Sequence, residues 1–327
     1  MRLIEFDGFG EPARVARCVE KPDPEAGPGK VLVRMEVMSI NPADLLTLEG
    51  RYGVRPALPA TPGTEGVGRV ESLGEGVGGL TVGDLVVPLS GSCWRERLVA
   101  RPETLIKLPP DIDVEQAAML KANPATAEAL LMLAELSPGD WVMQNAANSA
   151  VGRNLIQAAR RHGLKTVNVV RRPEPVEALR ALGGDAVLVH EGGDAETLAA
   201  AVAEATGGAR VKLAIDAVGG QATAGLAASV CESGLVVNYG LLSGEPCRVD
   251  PYHLVFRDIR LQGFWLLTWF RKAGPQAAID LYAGLIDRLA AGEIGVPVEA
   301  RYPLERIGDA LAHAARPQRS GKILLTT

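Results

Sequence analysis

Aromatic residues make up only 4% of this 327-residue chain, and just four cysteines and four histidines are present. Cys18, Cys93, Cys231 and Cys247 are scattered without C-x-x-C spacing. That pattern provides neither a disulfide framework nor a zinc ribbon, and it reads as isolated thiols in a reducing compartment. No apolar run approaches the roughly 18 residues of a membrane span. The opening residues, MRLIEFDGFG, run directly into strand-like sequence without the pattern of a signal or transit peptide. A cytoplasmic location is therefore expected, with no membrane partner. The net charge is −5 and no basic stripe stands out, so nucleic acid is not an expected partner either.

With 47% hydrophobic and 22% charged residues, the composition is that of a soluble globular protein, and the length suggests two domains. Two textures divide the chain. Residues 1 to about 110 hold short β-rich runs, such as Val31–Val37, Val67–Val70 and Leu85–Val87. They are separated by turn signals such as Pro28-Gly29 and Gly83-Asp84, as in an antiparallel barrel or sandwich. From about 118, apolar strands alternate with helical segments rich in Ala, Leu, Glu and Arg. Strands are expected at 141–145, 166–170, 186–190, 211–218, 235–240 and 259–264. Helices are expected at about 150–162, 174–182, 194–206 and 221–231, with a weaker one within 241–258. Six strands in this rhythm make a doubly wound dinucleotide-binding sheet in an α/β protein. After a further helix at about 275–292, the strand-like Lys322–Leu325 is expected to return to the first domain.

The loop QNAANSAVG, residues 144–152, lies where the first strand of that sheet meets its first helix. It lacks two of the three glycines of G-x-G-x-x-G and keeps only Gly152. Alone, it reads equally well as a capped turn. Within six strands it reads as a pyrophosphate site, with Ala146, Ala147 and Ala150 small enough for close approach and Asn148 and Ser149 at the N-cap. At the end of the second strand, where NAD enzymes commonly place Asp or Glu, stand Arg171 and Arg172. Two guanidiniums there suit a ribose 2′-phosphate and predict NADPH as the cofactor, the alternative being a solvated basic turn.

Seven motifs then coincide in order and spacing: SINPAD (39–44), GRY (50–52), GTEGV (63–67), NPATA (123–127), QNAANSAVG, NVVR (168–171) and GFWL (263–266). Together they resemble the medium-chain dehydrogenase/reductase superfamily, and most closely its zinc-free trans-2-enoyl thioester reductases. The resemblance covers nearly the whole chain. It implies a GroES-like catalytic domain over 1–117 and 268–327, a Rossmann domain over 118–267, and a homodimer. Where zinc-dependent relatives carry a cysteine and a histidine, this chain has Asn41 and Thr64, and the four-cysteine lobe is absent. No metal is expected.

The resemblance implies hydride transfer from NADPH to the β-carbon of an enoyl thioester and protonation of the α-carbon by Tyr52. Taken alone, Tyr52 reads as a half-buried turn residue. By the same resemblance Asn123 contacts the nicotinamide side, and Asn148, Ser149, Ala150 and Val151 hold the pyrophosphate. Tyr239, Gly240, Leu241 and Leu242, with Phe264, Trp265 and Leu266, line the nicotinamide, and Lys322 reaches the cofactor. Phe264 and Trp265 read alternatively as core, and Lys322 as solvated. Trp94 matches a family tryptophan with no role assigned. Leu241 replaces a family glycine, which puts the geometry of that loop in question. The acyl group would ride on coenzyme A or an acyl carrier protein. Two alternatives stay open: a reductase of quinones or other activated alkenes, and a catalytically idle NADPH-binding protein.

Overall fold

The sheet of the second half follows directly from its apolar strands. Trp141–Gln144, Lys165–Val170, Ala186–Val189, Val211–Asp216, Leu235–Asn238 and Arg260–Gly263 pair in parallel throughout. In space the third strand of this series lies at one edge, followed by the second, first, fourth, fifth and sixth. The chain direction across the sheet therefore reverses beside Trp141–Gln144, at the switch point where doubly wound sheets bind ligands. Helices Ala150–Arg161, Val176–Ala181, Ala195–Thr206, Gln221–Ser229 and Pro251–Phe256 form the connections. Both faces of the central strands are covered, as parallel sheets require. Met143, Val167, Ala214 and Val236 pack with Leu198, Val202 and Leu226, while Val142, Leu213, Ile215 and Val237 pack with Leu130, Leu155 and Ala159.

The computed structural model describes residues 1–317 and 319–327. They form two compact units, Met1–Ala122 with Ala283–Thr327, and Asn123–Tyr282. The expected changeovers, at 117/118 and 267/268, lie earlier in the chain at both crossings. The Ala122 amide donates to Glu65 Oε2 at 2.8 Å, which ties the end of 118–122 to the first unit. Within 268–282 the Phe270 ring stacks on Tyr282 at 5.6 Å, and the second crossing falls after that pair. The helix Leu266–Ala290 breaks at Gly274 (φ 85°, ψ 171°) before Pro275, where the sequence places its last long helix.

The first unit is built on a seven-stranded sheet and a separate two-stranded one. Its long central strand, Val31–Ser39, is flanked by Gly66–Leu73 and by the C-terminal strand Lys322–Thr326, which returns antiparallel with Leu324 opposite Ser39. Ile4, Phe6, Val33, Met35, Trp94, Ile323 and Leu325 fill the core. Among the described residues, no helix is long and apolar enough to cross a membrane.

Candidate functional site

In the second unit, the loop after Trp141–Gln144 is held from several sides. The buried Gln144 side chain donates to the Gly152 carbonyl at 2.9 Å and to Asn168 Oδ1 at 2.8 Å, joining the first helix to the neighbouring strand. Asn145 Nδ2 donates to Asp216 Oδ1 at 2.6 Å and its Oδ1 accepts from the Ala217 amide at 2.8 Å. Ala146 sits at φ 46°, in the left-handed region, which costs a non-glycine residue about 1–2 kcal/mol. Ser149 caps the helix, its Oγ accepting from the Gly152 amide at 3.1 Å. A Cβ on Gly152 would stand 2.5 Å from the Ala147 carbonyl oxygen, so only glycine permits this packing. Asn148, Ser149, Ala150 and Val151 remain partly exposed at the helix N-terminus, where amides and dipole favour an anion.

At the end of the second strand, Arg171 is exposed and has no hydrogen-bond or ion-pair partner among the described residues. Arg172 reaches only Glu174, at 3.9 Å. The strand end thus carries positive charge, free on Arg171 and loosely paired on Arg172.

The far side of the switch point is organised by Asp216, a buried carboxylate that sequence reasoning did not single out. It accepts from Asn145, from Thr223 Oγ1 at 2.6 Å and from the amides of Val218 and Gly219 at 2.9 and 3.0 Å. The Tyr239 amide donates to the Asp216 carbonyl at 2.9 Å and the Leu242 amide to that of Ala217 at 3.2 Å. Burial pushes the Tyr239 hydroxyl above its ordinary range, and its hydrogen bond to Ser149 only partly opposes this. A Cβ on Gly240 would collide with the Ala217 carbonyl, so the first position of this loop needs glycine. Leu241 is tolerated at the second because its side chain, 56% exposed, points to solvent. The Phe264 amide donates to the Asn238 carbonyl at 2.8 Å, and its side chain packs against the core. Trp265 and Leu266 are half-buried, with the Arg271 guanidinium 5.7 Å from the Trp265 ring centre. Asn123 is buried at the start of the helix Asn123–Leu131.

In the first unit, the helix Pro42–Leu48 leads into the turn that carries Tyr52. The amides of Arg51 and Tyr52 both donate to the Leu46 carbonyl, at 2.8 and 3.0 Å, which fixes the Tyr52 backbone to the helix. Gly50 turns the chain at φ 71°. The start of the helix is locked by Asp44, whose Oδ2 accepts from the Asn41 amide at 2.8 Å and whose Oδ1 accepts from the Thr64 amide and hydroxyl, both at 2.7 Å. Burial lifts the Asp44 carboxyl to about 6 in spite of these donors.

Asn41 and Thr64 thus belong to a buried polar network. Asn41 Nδ2 donates to Glu65 Oε1 at 2.8 Å and to Ser39 Oγ at 3.1 Å, and Ser39 Oγ donates to the same carboxylate oxygen at 2.6 Å. Lys121 Nζ donates to the Thr64 carbonyl at 2.6 Å. Lys322, expected on the cofactor, is buried here and donates to Asn41 Oδ1 at 2.6 Å and to the Ile40 carbonyl at 3.0 Å. Among the described residues, no group of three His, Cys, Asp or Glu side chains is arranged to hold a metal ion. Trp94 supports the core of this unit. Its Nε1 donates to the Ser39 carbonyl at 3.1 Å, and its ring fills the space that a Cβ on Gly63 would need.

Comparison with known proteins adds to this geometry. Residues 27–105 match the alcohol dehydrogenase GroES-like domain family and residues 150–284 the zinc-binding dehydrogenase family. The mitochondrial enoyl-acyl-carrier-protein reductase of Homo sapiens is 34% identical over 100% of this chain and 88% of its own length. A mycobacterial protein solved in complex with NADPH shares 30% identity with a TM-score of 0.89, each chain covered over 100%. A quinone oxidoreductase of Pseudomonas syringae pv. tomato superposes with a TM-score of 0.87 at 28% identity, over 100% of this chain and 99% of that one.

Proposed function

The chain belongs to the zinc-independent medium-chain dehydrogenase/reductases, and from that premise we propose that it is an NADPH-dependent reductase of trans-2-enoyl thioesters. The observation that carries this reading is Tyr52, held by its backbone to the end of the helix Pro42–Leu48, in a chain similar over its full length to enoyl reductases. NADPH, when bound, supplies the hydride for the β-carbon of the substrate. The loop Asn148–Val151 binds its pyrophosphate, Arg171 and Arg172 its 2′-phosphate, and Asn123, Tyr239–Leu242 and Phe264–Leu266 flank the nicotinamide. The uncommitted Arg171 guanidinium favours NADPH over NADH through charge-assisted hydrogen bonds. Hydride addition leaves an enolate of the thioester, and Tyr52 protonates its α-carbon. Asn41 and Thr64 serve the buried network, and no metal takes part.

A quinone substrate is the second reading, supported by the likeness to the Pseudomonas quinone oxidoreductase. Steady-state turnover of NADPH with crotonyl-CoA and with benzoquinone separates the two. An enzyme that reduces the quinone and ignores enoyl thioesters replaces the first reading with the second.

A homodimer belongs to the same proposal. Arg260–Gly263 is the outer strand of its sheet and is exposed along its whole length. Beside it in sequence, Val255 and Phe256 are 68% and 72% exposed. An open edge with apolar neighbours invites pairing, and a second copy meeting it edge to edge would close it.

A further inference from the structure

Three of the four histidines are engaged. His162 meets Glu128 at 3.1 Å, His253 meets Arg257 at 3.0 Å, and His313 lies between Glu299 at 2.9 Å and Tyr302 at 3.0 Å. The imidazole of the fourth, His190, is partly exposed and has no hydrogen-bond or ion-pair partner among the described residues. Its backbone is nonetheless fixed. The His190 amide donates to the Val170 carbonyl at 2.8 Å, just past the pair Val189 and Val170 of the parallel ladder. The next position in register sets His190 opposite Arg171, on neighbouring strand ends about 4.8 Å apart. The strand Ala186–Val189 is the edge of the sheet, and Lys165–Val170 lies between it and Trp141–Gln144. A dinucleotide whose pyrophosphate rests on the loop after the first strand carries its ribose to the end of the second, with the end of the third beyond it. The acids around this corner are Glu174, Glu191, Asp194 and Glu196. Asp194 is occupied at its helix cap by the Thr197 hydroxyl at 2.9 Å and the Glu196 amide at 3.3 Å, and Glu174 stands 3.9 Å from Arg172.

We infer that His190 is a third residue of the 2′-phosphate site, donating a ring N–H to a phosphate oxygen beside the Arg171 guanidinium. The inference rests on the proposed NADPH site at the end of the second strand. A neutral imidazole keeps one N–H donor and an imidazolium has two, so the bond forms in either state and is charge-assisted through the phosphate. NADH offers a hydroxyl where NADPH offers a dianion, so it gains little from this contact. Discrimination between the two cofactors is then divided between two strands, and the two arginines alone do not account for all of it.

The test is His190→Ala in the full chain, alone and added to Arg171→Ala with Arg172→Ala. NADPH and NADH affinities are read by fluorescence titration, and folding by thermal melting. We expect His190→Ala to weaken NADPH on the order of 10-fold and to leave NADH unchanged. The double arginine variant should keep a residual preference for NADPH, which the triple variant loses. Equal losses for both cofactors in His190→Ala would place the imidazole on a part that they share and overturn the inference. So would unchanged NADPH affinity in a His190→Ala protein whose double arginine counterpart loses NADPH selectively. If the double arginine variant instead loses both cofactors equally, the 2′-phosphate reading of this strand end fails and the inference falls with it. Where His190→Ala does not fold, His190→Leu keeps the bulk at the strand end, removes the donor and carries the same expectation.

Discussion

The Gly152 α-carbon lies so close to the Ala147 carbonyl that a Cβ there would stand 2.5 Å from its oxygen. The neighbour is backbone, so it cannot rotate away. Gly152→Ala should push the helix off the strand end and disturb the loop Asn148–Val151. Overpacking of this kind costs about 1–3 kcal/mol. Thermal melting should show the loss, and NADPH titration should show weaker binding than in the wild type. Unchanged melting and affinity would mean that the loop is looser than the contact implies.

The two guanidiniums at the end of the second strand, Arg171 unpaired and Arg172 near Glu174, lead to a prediction about cofactor choice. Arg171→Ala with Arg172→Ala should weaken NADPH binding and leave NADH nearly unaffected. The expected cost is on the order of 1.5–3 kcal/mol for a lost charge-assisted hydrogen bond. Isothermal titration with both cofactors checks this, and equal losses would remove the 2′-phosphate assignment.

Lys322 should leave a mark on the pH dependence of stability. Burial pulls its ammonium down to about 8, and the nearby Glu65 and Asp44 charges only partly restore it. A folded-state value below the ordinary lysine value means that the unfolded chain holds the proton longer. The contribution of this group is therefore fully present above about 10.4 and declines as pH falls through about 8. Between those limits the wild type should gain stability with rising pH, and Lys322→Met should lack that part of the gain. Chemical denaturation at several pH values measures the difference between the two, and parallel curves would contradict it.

Much of this architecture was legible because apolar runs and small-residue turns carry it. The six strands from Trp141 to Gly263 fall where their Val, Leu and Ile clusters lie, and the helix after QNAANSAVG begins at the serine that caps it. The helical turn from Leu266 onward is not legible, because Leu266–Phe270 is apolar except for Thr268 and too short to show a 3.6-residue pattern. Asp216 gave no signal as a hub, since its partners come from Asn145, Thr223 and backbone amides on three separate segments. Lys322 was legible as a notable lysine but not as a partner of Asn41, because only the return of the C-terminal strand beside Val31–Ser39 brings the two together. Resemblance located the candidate residues. Distances were needed to show which of them hold one another.

The exposed edge strand Arg260–Gly263 carries a prediction about assembly. Leu261 is 38% exposed on it, and Phe256 is 72% exposed nearby. Leu261→Lys with Phe256→Glu should yield a monomer in light scattering, where the wild type should give a dimer mass, because charge on an open edge opposes pairing. A wild-type monomer mass across micromolar concentrations would reject the dimer.

Turnover of crotonyl-CoA by Tyr52→Phe, with the chemical step shown to limit the rate, tests the proposed chemistry most directly. The substitution keeps the ring and removes only the hydroxyl. Loss of a general acid should lower kcat by about 10²–10⁴-fold. NADPH binding should be retained, and quinone reduction, if the wild type shows any, should fall far less because reduced quinone oxygens take protons from water. Tyr52→Phe turning over crotonyl-CoA at the wild-type rate would contradict the assignment of Tyr52 as the acid.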